Sequence, residues 1–329
     1  MPDHAPAARA LWLRAPGEPE IRDVPPAAPG PGEVLVRTSY SGVSRGTEAL
    51  VFRGGVPPGQ RETMRAPFQE GDFPGPVKYG YLNVGVVEDG PADLLGRTVF
   101  CLYPHQTRYV VPASAVTVVP PDVPPERAVL AGTVETAVNA LWDAAPLVGD
   151  RIAVVGGGMV GCVVAAVLAG LPGARVQLVD PLRSRSAVAD ALGVGFATPD
   201  DADGDCDLVL HTSATSEGLS RSLELLADEG EVVDLSWYGD RPVTLPLGEG
   251  FHPRRLTIRS SQVGTVSPRR ARKGFAGRLA VAFRLLADDR FDALVTSTGT
   301  FDELPVTLPR VLTGEPPGLL HRVGYGGRS

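Results

Sequence analysis

The residues in this chain whose type and spacing bear most directly on chemistry are six in a row: Gly156, Gly157, Gly158, Met159, Val160 and Gly161. They form a G-x-G-x-x-G turn that follows the apolar run RIAVV and opens a second apolar run, MVGCVVAAVLAG. In a strand–turn–helix setting Gly156 permits the tight turn, and Gly158 lets a pyrophosphate approach the backbone. Gly161 lets helix and strand pack closely, while the helix start at Met159 and Val160 offers unbonded N–H groups and a positive dipole end. Asp180 ends the next apolar run, ARVQLVD, where an acid would bond the ribose hydroxyls of an adenine dinucleotide. A carboxylate there repels a 2′-phosphate and favours NAD over NADP, although Arg183 and Arg185 follow closely and soften that preference. The alternative is a glycine turn with a surface aspartate and no ligand.

The elements that must position these residues fall into two textures. Up to about residue 120 the chain reads as short strands, ARALWL, EVLVRTSY, VGVVED and RTVFCLY, separated by Pro and Gly clusters such as PPAAPGPGE; this suits a compact barrel. Beyond PPDVPPERA, a helix over ERAVLAGTVETAVNALWDA leads into alternating strands and helices. These are a strand at RIAVV, a strand at ARVQLVD, a helix over SRSAVADALG, a strand at CDLVLHT, a helix over LSRSLELLADEG and strands at EVVDLSW and LTIRSSQV. Such alternation predicts a doubly wound parallel sheet, so the fold class is α/β. The tail, with a helix over RRARKGFAGRLAVAFRLLADD and a closing strand at LLHRVGY, no longer follows that rhythm and is expected to return to the first domain. The expected segments are 1–122, 123–266 and 267–329.

Composition narrows the partners. The chain has 329 residues, 43% hydrophobic and 21% charged, which suits a globular protein of two domains. A net charge of -7 argues against nucleic acid. The Arg- and Lys-rich stretch Arg254–Arg278 is the local exception, read as a solvated face, a dimer rim or an anion site. No stretch approaches the roughly 20 apolar residues that cross a bilayer, and the first residues do not read as a signal peptide. Cys101, Cys162 and Cys206 lack metal-like spacing. A cytoplasmic protein with a small-molecule substrate is the expectation.

With those pieces placed, the chain resembles the medium-chain dehydrogenase/reductase superfamily over nearly its full length. PGPGEVLVRTSYSGVSRGTE is similar to that family's early strand and catalytic loop, PVKYGYLNVGVVEDG to its Gly-His-Glu segment, and AGTVETAVNALWDA to the helix entering the Rossmann domain. The loop also resembles that of hydroxyethyl-bacteriochlorophyllide dehydrogenases. The resemblance implies a GroES-like barrel that carries the catalytic groups, a Rossmann domain and a nicotinamide cofactor. It also implies a homodimer paired along the last Rossmann strand, at FHPRRLTIRSSQVG. Where zinc members of the family carry Cys, His and Glu, this chain has Ser44, Tyr81 and Leu82, and the third ligand position falls near Gly132. A hydroxyl, a phenol and a glycine do not replace thiolate and imidazole as zinc ligands, so no catalytic zinc is expected.

Without a metal, a proton or hydrogen-bond donor must stabilise the developing oxyanion. Tyr81 and Ser44 are the first candidates, against a reading in which both fill space. His105 is a candidate proton shuttle or a turn histidine, and Glu135 a general acid/base or a helix-surface carboxylate. Thr136 is expected near the nicotinamide, and Arg45 on the pyrophosphate or in a surface pairing role. Thr212 and Ser213 follow one strand end and Ser236, Trp237 and Tyr238 another; both sets are candidate cofactor contacts, with Trp237 and Tyr238 alternatively packing aromatics. The segment Arg53–Phe73 is either a substrate-shaping loop or a surface loop. Three readings stay open. The first is a zinc-independent NAD(H) alcohol dehydrogenase or ketone reductase. The others are an NADPH-dependent quinone or enone reductase, and a non-catalytic nucleotide-binding redox sensor.

Overall fold

The computed structural model describes residues 7–25, 27–314 and 317–326. By contact density the chain forms two compact units, one of residues 1–132 with 295–329 and one of residues 133–294. These limits differ from the expected breaks at 122 and 266. The first unit keeps the turn Pro125–Ala128, whose Glu126 accepts from Tyr40 Oη at 2.8 Å. The second keeps the helix Gly274–Leu285, through the buried Arg278.

In the first unit the long strand Glu33–Ser44 is the organiser. It pairs antiparallel with Asn83–Asp89, Arg108–Pro112 and Leu320–Gly324. Its early residues alternate between half-buried and buried, as a one-sided strand requires, and its last four are all buried. Val34, Val36, Val87, Val99, Tyr109 and Val111 fill the space beneath it. Val295–Thr300 lies parallel to Leu320–Gly324, so the C-terminal segment closes this sheet beside Ser41 and Ser44. Two helices here were not expected from the sequence. Arg45–Phe52 forms immediately after the strand, in what was read as a loop, and Leu304–Thr313 forms despite Pro309 inside it.

The second unit is a six-stranded, all-parallel sheet. From one edge of the sheet to the other its strands are Gly195–Ala197, Arg175–Val179, Arg151–Val155, Cys206–His211, Leu226–Asp234 and Thr257–Ser260. Numbered by sequence that is the order 3-2-1-4-5-6 of a doubly wound dinucleotide fold. The core beneath it is apolar: Ala153, Val155, Val179, Val209, Leu223 and Val232. The helix expected to reach Gly230 stops at Leu225, because Leu226 already pairs with Cys206 in the sheet. Thr257–Ser260 is the edge strand. The basic stretch is divided: Arg254 pairs with Asp228 and Arg259 with Glu231, while Arg269, Arg270, Arg272 and Lys273 are exposed. Among the described residues no helix is long and apolar enough to cross a membrane, and all three cysteines are buried free thiols.

Candidate functional site

In the second unit the turn after Arg151–Val155 has the conformation its glycines suggest. Gly156 has φ +111°, and a Cβ on it would lie 2.7 Å from the Ser213 amide nitrogen. A Cβ on Gly161 would lie 1.8 Å from the Gly156 carbonyl oxygen, so helix and strand meet there backbone to backbone. A Cβ on Gly158 would meet nothing within 4 Å. Gly158 also caps the ten-residue helix Met159–Leu168 without any side-chain acceptor. The start of that helix is thus left without a side-chain cap, the arrangement on which a pyrophosphate can be held.

Asp180 is nearly buried and closes the other side of the turn. Its Oδ2 accepts from the Gly157 N–H at 2.6 Å and its Oδ1 from the Leu182 N–H at 2.8 Å. Each carboxylate oxygen has a second lone pair for a ribose hydroxyl. Arg185, expected at the cofactor, is buried in the turn Arg183–Arg185, where its charge acts on the Cys162 thiol. Burial still pushes that thiol up to about 12. Arg183 is exposed and pairs with Asp201 at 3.5 Å.

Thr212 Oγ1 donates to the Gly156 carbonyl at 2.9 Å, and Ser236 Oγ accepts from the Ala214 N–H at 3.1 Å. Both residues hold strand-end loops in place. Trp237 is half-buried in the second of these loops, and Thr136 half-buried on the helix Ala131–Ala144; both have partners in the fold. Glu135 stands as a correction to the acid/base reading. Its Oε1 accepts from Arg278 Nε at 2.9 Å in a pair with both side chains buried. Arg278 also donates to Asn139 Oδ1 and to the Val263 carbonyl, at 2.7 Å each. Burial raises the Glu135 pKa and Arg278 opposes it. The carboxylate is a strut between two helices and the 263–265 loop.

In the first unit Ser44, Tyr81 and His105 come together, joined by a residue that the sequence reading did not single out. Glu48 Oε1 accepts from the Ser44 N–H at 2.7 Å, closing the first turn of Arg45–Phe52, and Glu48 Oε2 lies 3.2 Å from His105 Nε2. An ionised carboxylate only accepts, so Nε2 carries the proton. His105 Nδ1 then accepts from Ser41 Oγ at 2.7 Å, and Ser41 Oγ accepts from Tyr325 Oη at 2.9 Å. Gly80, at φ +133°, makes room for the ring, since a Cβ there would sit 3.0 Å from it. A cavity of about 20 Å³, lined by Glu48, His105, Tyr79, Trp12, Leu308 and Leu312, adjoins the pair. That is room for one water molecule.

Tyr81 is half-buried, with the Ser44 and Thr47 hydroxyls and the Glu48 carboxylate acting on its phenol. Burial and the Glu48 charge raise its pKa well above the usual phenol range, and the two hydroxyls oppose this only in part. Arg45 has partners within the fold. Its Nε donates to the Leu312 carbonyl and its Nη1 to the Gly314 carbonyl, both at 3.1 Å. Those acceptors are the end of the helix Leu304–Thr313, where a cation is favoured.

At the positions that correspond to the family's metal-site residues stand Ser44, Tyr81, Leu82 and Gly132. Leu82 is fully buried, and a Cβ on Gly132 would lie 2.6 Å from its Cδ2, so that corner is apolar. Glu48 and His105, the metal-binding types nearby, are bonded to each other. Among the described residues no three His, Cys, Asp or Glu side chains form a metal-holding group. The segment Arg53–Phe73 is ordered by the Arg65–Asp72 ion pair and by Phe68, whose ring lies 5.4 Å from that of Tyr103.

Glu48, Ser41 and Tyr325 carried no motif of their own. The signal that could have found Glu48 is its place in the first turn after Ser44, where the helix dipole favours an acid.

No family model matches the chain, and no curated protein matches it by sequence. Its structure is similar to that of the short chain alcohol dehydrogenase rspB from E. coli CFT073, complexed with NADH. The TM-score is 0.78 at 16% identity, covering 97% of this chain and 99% of that one. It is similar too to 2R,3R-butanediol dehydrogenase from Bacillus subtilis (TM-score 0.78, 16% identity, 97% and 100% covered). A third is the alcohol dehydrogenase TADH from Thermus sp. ATN1 (TM-score 0.74, 21% identity, 97% and 100% covered). The chain has the fold of the medium-chain dehydrogenases, a GroES-like barrel unit and a Rossmann sheet.

Proposed function

We propose that this protein is an NAD(H)-dependent oxidoreductase that interconverts an alcohol and a carbonyl on a small to medium organic substrate without a catalytic metal. One observation carries the reading: the open face of Gly158 beside the Asp180 carboxylate, at the first strand of a 3-2-1-4-5-6 parallel sheet. When bound, the nicotinamide would supply the hydride acceptor or donor. Gly156, Gly158 and the N–H groups at Met159, Val160 and Gly161 would hold its pyrophosphate, and Asp180 its ribose. The Asp180 carboxylate disfavours a 2′-phosphate. Neither nearby arginine compensates strongly, because Arg185 is buried and Arg183 faces Asp201.

The proton side belongs to the first unit. Tyr81 stays protonated at neutral pH and is a hydrogen-bond donor for the substrate oxygen, oriented by Ser44. The Glu48 charge opposes a lasting phenolate, so Tyr81 gives up a proton only as solvent replaces it. Glu48, His105, Ser41 and Tyr325 form a buried hydrogen-bonded chain in the same unit, along which a proton would be stored. Two copies pairing along the edge strand Thr257–Ser260 complete the proposal, and light scattering gives the solution mass that tests it.

The decisive experiment titrates metal-stripped protein with NADH and NADPH by tryptophan fluorescence, then assays a panel of secondary alcohols and enones. Tighter NADH binding and alcohol oxidation are expected, with Tyr81→Phe lowering kcat by roughly 10²–10³-fold. Tighter NADPH binding with enone-dependent oxidation would select the C=C reductase reading instead. No turnover on any substrate, with Tyr81→Phe silent, would leave a nucleotide-binding sensor.

A further inference from the structure

A second buried imidazole lies in the Rossmann unit, at a place no cofactor motif explains. His211 is the last residue of the strand Cys206–His211 and is fully buried. Its Nδ1 lies 2.9 Å from Asp234 Oδ1, and its Nε2 lies 2.7 Å from Ser213 Oγ. Asp234 also accepts from Tyr238 Oη at 2.8 Å and from the Ser236 N–H at 2.9 Å. Burial works to raise the Asp234 pKa, but these donors, His211 foremost, hold it below the ordinary value. The carboxylate therefore accepts the Nδ1 proton, Nε2 accepts from the Ser213 hydroxyl, and Thr215 Oγ1, 3.0 Å away, completes the chain.

Hydroxyl, imidazole and carboxylate stand in the order of a hydrolytic triad, yet the hydroxyl is covered. A Cβ on Gly218 would lie 2.1 Å from Ser213 Oγ, so the start of the helix Ser216–Leu225 covers the atom that would attack an acyl carbon. What the chain does reach is the glycine turn. The Ser213 amide nitrogen and Thr212 Oγ1 press on Gly156, and Thr212 Oγ1 bonds the Gly156 carbonyl at 2.9 Å. Between Ser213 and the helix, Ala214 is held at φ +53°, a left-handed conformation that an alanine keeps only when its surroundings impose it. Arg241 Nη2 donates to the Ala214 carbonyl at 3.0 Å, and the Ala214 N–H bonds Ser236.

We propose that His211 and Ser213, braced by Asp234, are positioning residues that clamp the 212–215 loop onto the glycine turn and so preorganise it for the pyrophosphate of an adenine dinucleotide. Asp180 fixes one side of the turn through the Gly157 N–H. On the opposite side Thr212, the neighbour of Ser213 in the loop that the His211 chain braces, holds the Gly156 carbonyl. A turn held from both sides keeps its N–H groups aimed at the phosphates before the ligand arrives, which saves ordering entropy on binding. This inference rests on the dinucleotide reading above and adds to it a residue set outside the glycine motif.

The test uses the full chain with NADH, ADP and AMP as probes. ADP carries the pyrophosphate, whereas AMP lacks it. Ser213→Ala removes one hydroxyl and should leave the melting temperature close to that of the parent. It is expected to weaken NADH and ADP about five- to tenfold and AMP less than twofold. In turnover assays KM for the dinucleotide should rise by the same factor, while kcat and KM for the organic substrate stay put. His211→Gln should reproduce the pattern; if it fails to fold, Ser213→Ala alone decides. Variants that bind NADH and ADP as the parent does would overturn the clamp and leave the functional reading standing. A uniform loss across ADP and AMP would overturn it too, as a general structural effect. A parent that binds none of the three would sink both.

Discussion

Each unit of this protein holds one buried chain of carboxylate, imidazole and hydroxyl: Glu48–His105–Ser41 in the barrel unit and Asp234–His211–Ser213 in the Rossmann unit. The bonding order is the same, but the origin is different. His211 and Asp234 are direct partners in the parallel ladder, and Ser213 follows two residues later, so one sheet register places all three. Glu48, His105 and Ser41 come from a helix, a loop and a strand, and Gly80 must leave space for the ring. The Rossmann chain ends beside the backbone of the glycine turn, and the barrel chain on the phenol Tyr325, with the phenol Tyr81 close to its carboxylate. A chain set by a ladder is stiff and suits the holding of a backbone turn. A chain of converging side chains with exchangeable protons along its length suits the movement of a proton.

That contrast can be broken most severely at the glycine turn. In Gly161→Ala the new Cβ would meet the Gly156 carbonyl at 1.8 Å, and backbone has to move. A loss of about 4 kcal/mol or more is expected, lowering the melting temperature by on the order of 10 °C. Gly158→Ala is its partner, since the Cβ enters open space. Its melting temperature should match the parent while NADH affinity falls about tenfold or more. Equal melting temperatures for the two variants would show that the turn is not a backbone contact.

A smaller effect is expected at the other chain. Glu48→Gln leaves one acceptor oxygen where two are used, so either the Ser44 N–H loses its partner or the His105 ring changes tautomer and its hydrogen bond to Ser41 reverses. Stability should fall by about 1–2 kcal/mol in denaturant titrations. At saturating substrate kcat should drop at least tenfold, with NADH affinity unchanged. A normal kcat would reduce the Glu48 chain to packing.

The smallest effect concerns pH. His321 lies on the closing strand, with Nδ1 bonded to Ser297 Oγ at 2.9 Å and Nε2 buried without a partner. Burial lowers its pKa below the ordinary 6.5, and the nearby His105 adds to this. Because the unfolded chain then binds the proton more readily, stability is fully present above pH 6.5 and declines as pH falls below it. His321→Gln should flatten that slope between about pH 5 and 7, measured by chemical denaturation. An unchanged slope would place the sensitivity elsewhere.

The cofactor half was largely legible in the sequence because its determinants are local. RIAVV, the three glycines and Asp180 sit within one strand–helix–strand unit, and only glycine tolerates φ +111° at 156 or a backbone contact at 161. The helix over 219–230 was misjudged at its end, because the pairing of Leu226 with Cys206 is decided by a distant strand. Ser44, Tyr81 and His105 were legible as types at telling positions, but Glu48 and Tyr325 were not. Glu135 and Arg45 read as chemical groups, and only the fold showed their partners, Arg278 and Gly314.

Taken alone, the order of residues determined the two textures of the chain, the parallel sheet and the turn at its first strand, since periodicity and glycine geometry act over a few residues. Which charges are neutralised and which carboxylate meets which imidazole depended on contacts spanning 57 positions from Glu48 to His105 and 143 from Glu135 to Arg278. Burial makes such pairings strong, and burial exists only once the chain has folded.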